Sequence, residues 1–351
     1  MQGEAIVHAL IELGMDVVEM VDNAPHVCFD AYRRINKPKR TRVVSSNSPT
    51  DFDGEPLDLV FSAAPYNVNI EIAKECNRAG VPYADLGGNP FVSETIQNNA
   101  VAIYPERSVP QSPVFTDLGC APGWVSIIAE ELIRGREDGA KISMCVGGLP
   151  RDPEGLPWKY GIVFSPNGLY NEYTGDCDFL ALYVKATAPA LSGHRHVSTL
   201  AGNLEAFNTK GGMGLSLHNL MARGVHSAQY QTLRYKGHWD ILDNLLNNHR
   251  YTEEQFTTAL KENCPVITED IVVGKVEVEW SGLPKERRIR EFVILADGRF
   301  TAMQKATAFP AAAAALLMTQ GMVETFSPVC DYQGVPCRMF NEYLKRLKLI
   351  R

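Results

Sequence analysis

The spacing of apolar and polar positions changes character along this chain of 351 residues. In the first third, short apolar runs alternate with stretches whose apolar residues recur at helical spacing. Glu4 to Leu13 reads as a helix stopped by Gly14, and Asp16 to Asp22 as a strand. The basic stretch Arg33–Arg42 reads as a solvated helix end and loop, and Val43-Val44 as a short strand. Asp58-Leu59-Val60-Phe61-Ser62-Ala63-Ala64 reads as a strand ending at Pro65. From Asn67 to Ala79, residues Val68, Ile72, Ala73 and Cys76 share one face of a helix, with Gly80 as its stop. Val81-Pro82-Tyr83-Ala84-Asp85-Leu86 is a further strand. Such strand–helix alternation predicts a parallel sheet with right-handed crossovers.

Beyond Pro113 the pattern differs. Val114–Asp117 is strand-like, and Gly119-Cys120-Ala121-Pro122-Gly123 opens a helix over Trp124 to Arg134, with Pro122 in its first turn. Lys141–Val146 reads as a strand closed by Gly147-Gly148-Leu149-Pro150, and Phe179–Ala186 as a single strand. Val272–Trp280 and Ile289–Leu295 alternate apolar and polar, with Asp297-Gly298 as a hairpin turn leading into Arg299–Gln304. Helices are expected over His218–Arg223, Trp239–Asn247 and Thr307 to Gly321. This half predicts a mostly antiparallel sheet. The expected fold is therefore α/β: a Rossmann-type parallel sheet whose first strand is not in the sequence, and a second α/β domain on a mostly antiparallel sheet. The expected division is 1–118 plus about 306–351, against 119–305.

Composition narrows the class. Hydrophobic residues are 45% and charged residues 21%, which is ordinary for a globular protein. The net charge of −7 gives no electrostatic case for nucleic acid or an anionic membrane. No apolar run is long enough to span a bilayer, and no secretory signal is read at the start, so a cytoplasmic location is expected. The eight cysteines form no C-x-x-C pair and none stands at zinc-ligand spacing from a histidine. They read as reduced, buried thiols, and no metal site is expected.

Chemistry is expected at the carboxyl ends of the parallel strands. Gly3 and Asp22 stand about 20 positions apart, as do the last glycine of a dinucleotide-binding fingerprint and the acidic residue that holds the adenine ribose. The first strand and first two glycines of that fingerprint are not in the sequence. Ala63, Ala64 and Pro65 are small enough to let backbone approach a flat ring such as nicotinamide. Asp22 favours NAD over NADP, although the basic stretch from Arg33 could reach a 2′-phosphate. The helix start at Gly119–Gly123 would attract an anion, and Cys120 there is a candidate nucleophile. In Thr232-Leu233-Arg234-Tyr235-Lys236-Gly237-His238, Arg234 could clamp a carboxylate and His238 could act as acid or base. Glu205-Ala206-Phe207-Asn208-Thr209 with Gly211-Gly212 reads as a polar turn. Lys159, Tyr160, Glu172 and Tyr173 form another polar-aromatic stretch. His194-Arg195-His196 reads as surface strand or loop.

These segments together resemble the saccharopine dehydrogenase-like family, which includes saccharopine reductase, lysine 6-dehydrogenase and carboxynorspermidine synthase. Met1-Gln2-Gly3, Asp58–Pro65, Gly80–Leu86 and Thr116–Gly123 carry the resemblance, with Gly147–Pro150, Phe164-Ser165-Pro166, Glu172-Tyr173, Leu204–Thr209 and Thr232–His238. The A-P-G and L-R-Y-x-G-H segments are most similar to lysine 6-dehydrogenase. The resemblance implies a homodimer with NAD(P)-linked chemistry at a carbon–nitrogen bond of an amino acid. It implies nicotinamide near Ala63, Ala64 and Pro65, and substrate around Asp117, Gly119, Arg234 and His238. Gly3, Asp22 and Asp85 complete the expected cofactor set, and Tyr160, Glu172 and Thr209 the expected substrate set. The expected general base is His238, with Asp117 second. The alternatives are a binding module that has lost its phosphate loop, and an aldehyde dehydrogenase-type enzyme using Cys120.

Overall fold

The computed structural model describes residues 2–15, 18–22, 24–35, 41–45, 57–101, 112–214, 216–281, 286–325 and 328–351. The chain forms α1 (Gln2–Leu13), β1 (Val18–Asp22), α2 (Pro25–Ile35), β2 (Thr41–Ser45), β3 (Val60–Ser62), α3 (Tyr66–Ala79), β4 (Tyr83–Asp85), α4 (Pro90–Val101) and β5 (Val114–Phe115). Next come α5 (Trp124–Ile133), β6 (Ala140–Pro150), α6 (Pro166–Tyr173), β7 (Asp176–Ala181), β8 (Val184–Pro189), β9 (Arg195–Thr199) and β10 (Gly202–Asn208). They are followed by α7 (Ser216–Ala222), β11 (Ser227–Arg234), α8 (His238–Leu242), α9 (Glu253–Asn263), β12 (Asp270–Trp280), β13 (Glu286–Leu295), α10 (Ala302–Thr319) and α11 (Cys337–Arg346). Two compact units result: Met1–Trp124 with Thr307–Arg351, and Val125–Ala306.

The first unit is built on parallel strands. β1 pairs with β2, and β3, β4 and β5 pair in that order. All of these pairings are parallel, as the strand–helix alternation requires. Residues 328–330 run beside β5, where Val114 donates to the Pro328 carbonyl and Cys330 to that of Val114. α3 ends where Gly80 takes the left-handed conformation at φ 71° and donates to the Cys76 carbonyl. Ile72, Ala73 and Cys76 of this helix pack with Tyr83, Val92, Ile96 and Val114 into a core beneath the strand ends.

The second unit holds an eight-stranded sheet ordered β13-β12-β6-β11-β10-β9, with β7 and β8 joined through β11. Every pairing is antiparallel except β6 with β11. The expected strand Lys141–Val146 runs on to Pro150, with Gly147 and Gly148 inside it. A Cβ on Gly147 would lie 2.5 Å from the Leu233 carbonyl oxygen, and one on Gly148 2.3 Å from a Met303 methyl. These glycines thus permit close packing and do not end the strand.

Three other expectations are corrected. Phe179–Ala186 is a hairpin, reversed at Leu182 and Tyr183 with φ of 51° and 68°. Asp297-Gly298 does not lead into a strand. Asp297 accepts from the backbone of Arg299 and Phe300, and Thr301 with Gln304 forms a reciprocal cap that starts α10. Glu205–Asn208 belongs to β10, so the polar turn begins only at Thr209. Elsewhere the bounds shift: α8 gives way at Asp243 to a π-helical turn over Asp243–Asn248. Among the described residues, no helix is long and apolar enough to cross a membrane.

Candidate functional site

In the first unit the expected cofactor residues lie at the carboxyl ends of the parallel strands. Ala63, Ala64 and Pro65 follow β3 and are exposed. Pro65 takes the N-cap position of α3, and the Ser62 hydroxyl donates to Asn69 Oδ1 at 2.7 Å, tying the strand end to the helix. A Cβ on Gly3 would lie 3.7 Å from the Ala63 methyl, so α1 and the end of β3 meet at these two residues. Asp22 ends β1, and its Oδ1 accepts from the Ala24 amide at 2.8 Å. Exposed small side chains at the end of β3 leave room for a flat ring, so the residues present fit the nicotinamide end of a dinucleotide.

Asp85 and Asp117 are brought together although 32 positions separate them. Both are buried. Asp85 Oδ1 accepts from the backbone of Gly87 at 2.8 Å and of Asp117 at 3.1 Å, and its Oδ2 from the Tyr83 hydroxyl at 2.9 Å. Asp117 Oδ1 accepts from Ser93 at 2.7 Å. Its Oδ2 is buried with no hydrogen-bond partner. The Asp117 backbone is left-handed at φ 61°, held by Asp85 at its N–H and by the Tyr332 hydroxyl at its carbonyl, 2.8 Å away. Gly87 makes this possible, since a Cβ there would lie 2.1 Å from Asp117 Oδ1. Burial, and then the neighbouring Asp85 charge, raise the Asp117 carboxyl to about 7. Burial also raises Asp85, against the bonds from Tyr83 and the two backbone amides.

Gly119 to Gly123 forms a tight turn closed by Trp124 donating to the Gly119 carbonyl at 2.9 Å. Gly123 is required: its φ is 126°, and a Cβ would lie 2.2 Å from the Gly119 oxygen. Pro122, joined to Ala121 by a cis peptide bond, lies in this turn and not in the first turn of α5. Cys120 is buried, and burial pushes its thiol up to about 12.

In the second unit the expected substrate residues converge. β11 carries Arg234, α6 carries Glu172 and Tyr173, and His238 starts α8. The Arg234 guanidinium lies over the rings of Tyr160 and Tyr173, 5.1 and 5.6 Å from their centres. Its Nε donates to the Tyr173 hydroxyl at 2.7 Å and its Nη1 to the Leu233 carbonyl at 2.9 Å. Nη2 stands 4.0 Å from Glu172 Oε2. Burial raises the Glu172 carboxyl to about 7 while Arg234 opposes the shift.

His238 is fully buried, with Nδ1 2.8 Å from the Trp158 carbonyl and Nε2 3.4 Å from the Tyr173 hydroxyl. A carbonyl only accepts, so Nδ1 carries the proton and Nε2 faces the hydroxyl as acceptor. Burial, and then the Arg234 charge, lower the imidazole to about 3. His238 is therefore held as a neutral ring between the Trp158 carbonyl and the Tyr173 hydroxyl.

The Thr209 hydroxyl shares a 2.7 Å bond with that of Thr232, two positions before Arg234 on β11, and among the described residues it bonds to neither Arg234 nor Glu172. His194 stacks on Trp239 at 4.4 Å and lies 3.3 Å from Glu205 Oε2, which also accepts from the Trp239 amide. Among the described residues, no three His, Cys, Asp or Glu side chains are grouped to hold a metal. Sequence reasoning missed Tyr83, Ser93, Tyr332 and Trp158, and gave Tyr173 no role. Tyr83 was readable, since two positions from Asp85 on a strand puts both on one face. Ser93, Tyr332 and Trp158 act across distant parts of the chain.

Residues 119–349 match the family described as Saccharopine dehydrogenase C-terminal domain. The fold is similar to apo histidine-tagged saccharopine dehydrogenase (L-Glu forming) from Saccharomyces cerevisiae. The TM-score is 0.69 at 14% identity, covering 98% of this chain and 95% of that one. An amine dehydrogenase from Mycobacterium smegmatis matches with a TM-score of 0.42 at 10% identity, covering 91% of this chain and 89% of that one. The family match spans well over half of the chain. The protein belongs to the saccharopine dehydrogenase-like family of oxidoreductases.

Proposed function

We propose that this protein is an NAD(P)-dependent oxidoreductase acting at the carbon–nitrogen bond of an amino acid, with lysine or a saccharopine-type compound as substrate. The observation that carries the substrate side is Arg234. It is a buried cation whose Nε and one Nη1 hydrogen are committed to Tyr173 and Leu233, which leaves the outer edge of its fork for a carboxylate. A guanidinium packed near two phenol rings and bonded to Tyr173 and Leu233 sets the angle at which a bound carboxylate lies.

The cofactor side is assigned to Ala63, Ala64 and Pro65 for the nicotinamide, with Gly3 and Asp22 toward the rest of the dinucleotide; Asp85, buried and engaged by Tyr83, Gly87 and Asp117, braces the Asp117 backbone instead. When bound, the nicotinamide accepts or returns the hydride. Oxidation of an amine also requires a proton acceptor. Asp117 suits this task better than His238. Its Oδ2 carries no hydrogen bond and its carboxyl titrates at about 7, whereas the imidazole is held near 3 with Nε2 turned to Tyr173. Tyr160 and Glu172 belong to the substrate pocket by their contacts with Arg234. The Cys120 alternative is disfavoured, because a thiol held at about 12 supplies almost no thiolate near neutral pH.

The test is a spectrophotometric assay. Lysine or saccharopine with NAD⁺ or NADP⁺ is expected to yield reduced nicotinamide. Absence of turnover across a panel of amino acids and, in reverse, of 2-oxo acids with amines would overturn the proposal.

A further inference from the structure

Arg234 and Glu172 differ sharply in exposure: the arginine side chain is 3% exposed and the glutamate side chain 34%. The pair thus runs from a buried cation to a partly exposed carboxylate. Their 4.0 Å separation exceeds a direct hydrogen bond. It remains close enough for strong charge coupling where water is scarce. Among the described residues no hydrogen bond engages the Glu172 carboxylate. An α-amino acid carries the complementary charges on one carbon, a carboxylate beside an ammonium.

We infer that Glu172 discriminates α-amino acids from plain carboxylates, accepting the α-ammonium while Arg234 holds the α-carboxylate. The inference rests on Arg234 being the carboxylate clamp. It has a consequence for protons. An ammonium beside Glu172 favours the ionised carboxyl, so a bound amino acid expels the proton that the group carries part of the time near pH 7. A ligand with only the carboxylate offsets the Arg234 charge, favours protonated Glu172 and draws a proton in. Other ionisable groups also surround Glu172. The Tyr160 and Tyr173 phenols are held un-ionised by burial. Lys210 donates from its backbone to the Glu172 carbonyl, and Glu253 of the packed α9 is engaged by Asn167.

Titration calorimetry on the full chain at pH 7, in phosphate and in Tris, measures the proton count directly. The probes are L-lysine and 6-aminohexanoate, which lacks only the α-amino group. Lysine is expected to release up to about half a proton per site. 6-Aminohexanoate is expected to take protons up, or to bind at least about tenfold more weakly. Glu172→Gln is expected to abolish the release and to weaken lysine about tenfold, while leaving 6-aminohexanoate within about twofold. Lysine binding with no proton release, or an equal loss for both ligands in the variant, overturns the inference and leaves the Arg234 clamp standing. If neither ligand binds the unmodified protein, the clamp falls and the inference falls with it.

Discussion

Arg234 donates its Nε hydrogen to the hydroxyl of Tyr173 at 2.7 Å, and the same hydroxyl faces His238 Nε2 at 3.4 Å. The phenol therefore accepts from a cation on one side and donates to a neutral ring on the other. With both of its hydrogen-bonding directions used, it fixes the guanidinium in one orientation.

Tyr173→Phe removes the acceptor and leaves a buried N–H of Arg234 unpaired. The expected loss of stability is about 1–3 kcal/mol, read as a fall in the unfolding midpoint, together with a raised KM for the amino-acid substrate. A variant matching the parent in both respects would show that the hydroxyl does not restrain Arg234.

His238 contributes to the acid limb of stability. Its folded value of about 3 lies below the ordinary 6.5, so the unfolded chain binds the extra proton between those limits. The associated stability is fully present above pH 6.5 and is lost as pH falls toward 3. His238→Asn keeps a donor for the Trp158 carbonyl and removes the titration. Its unfolding midpoint is expected to decline less steeply over this range than that of the parent, and parallel declines would refute the assignment.

Asp117 acts in the opposite sense. Its carboxyl is raised from 3.8 to about 7, so the folded state holds the proton more tightly. The associated stability is full below pH 3.8 and is lost as pH rises through about 7. Asp117→Asn is expected to remove this slope and to lower kcat by about 10²-fold or more if the carboxyl is the proton acceptor. Unchanged kcat would remove it from that role.

Ala64 is exposed, so Ala64→Leu is expected to leave the unfolding midpoint within about 0.5 kcal/mol of the parent. Its branched side chain would occupy the space assigned to the nicotinamide. Affinity for NADH or NADPH, followed by fluorescence, is expected to fall at least about tenfold. Equal affinity would place the ring elsewhere.

Much of the fold was readable because local signals agreed with one another. Gly80 stopped α3 as its position required, and alternation marked β12 and β13. Misreadings arose where a signal had two physical meanings. Gly147 and Gly148 looked like a strand stop because space made for Leu233 and Met303 cannot be seen from neighbours in sequence. Leu182 and Tyr183 hid a reversal because neither is a turn former. Asp297-Gly298 was read as a hairpin turn although Thr301-Ala302-Met303-Gln304 already carried a helix-start signature. For the site, residue type identified Arg234 and Asp117, but burial decided their chemistry. His238 was expected to titrate near neutrality, and only its enclosure against Trp158 and beside a fixed cation shows otherwise.

A long, flexible side chain normally surrenders about 2 kcal/mol of rotational freedom when a ligand immobilises it. Buried near two phenol rings and bonded to Tyr173 and Leu233, Arg234 has made that sacrifice before any ligand arrives. Binding then forfeits little disorder on the protein side, and the arginine cannot swing to follow a misplaced carboxylate. The molecule should therefore measure the length of its ligand, rejecting homologues one methylene too long or too short more sharply than a surface arginine would.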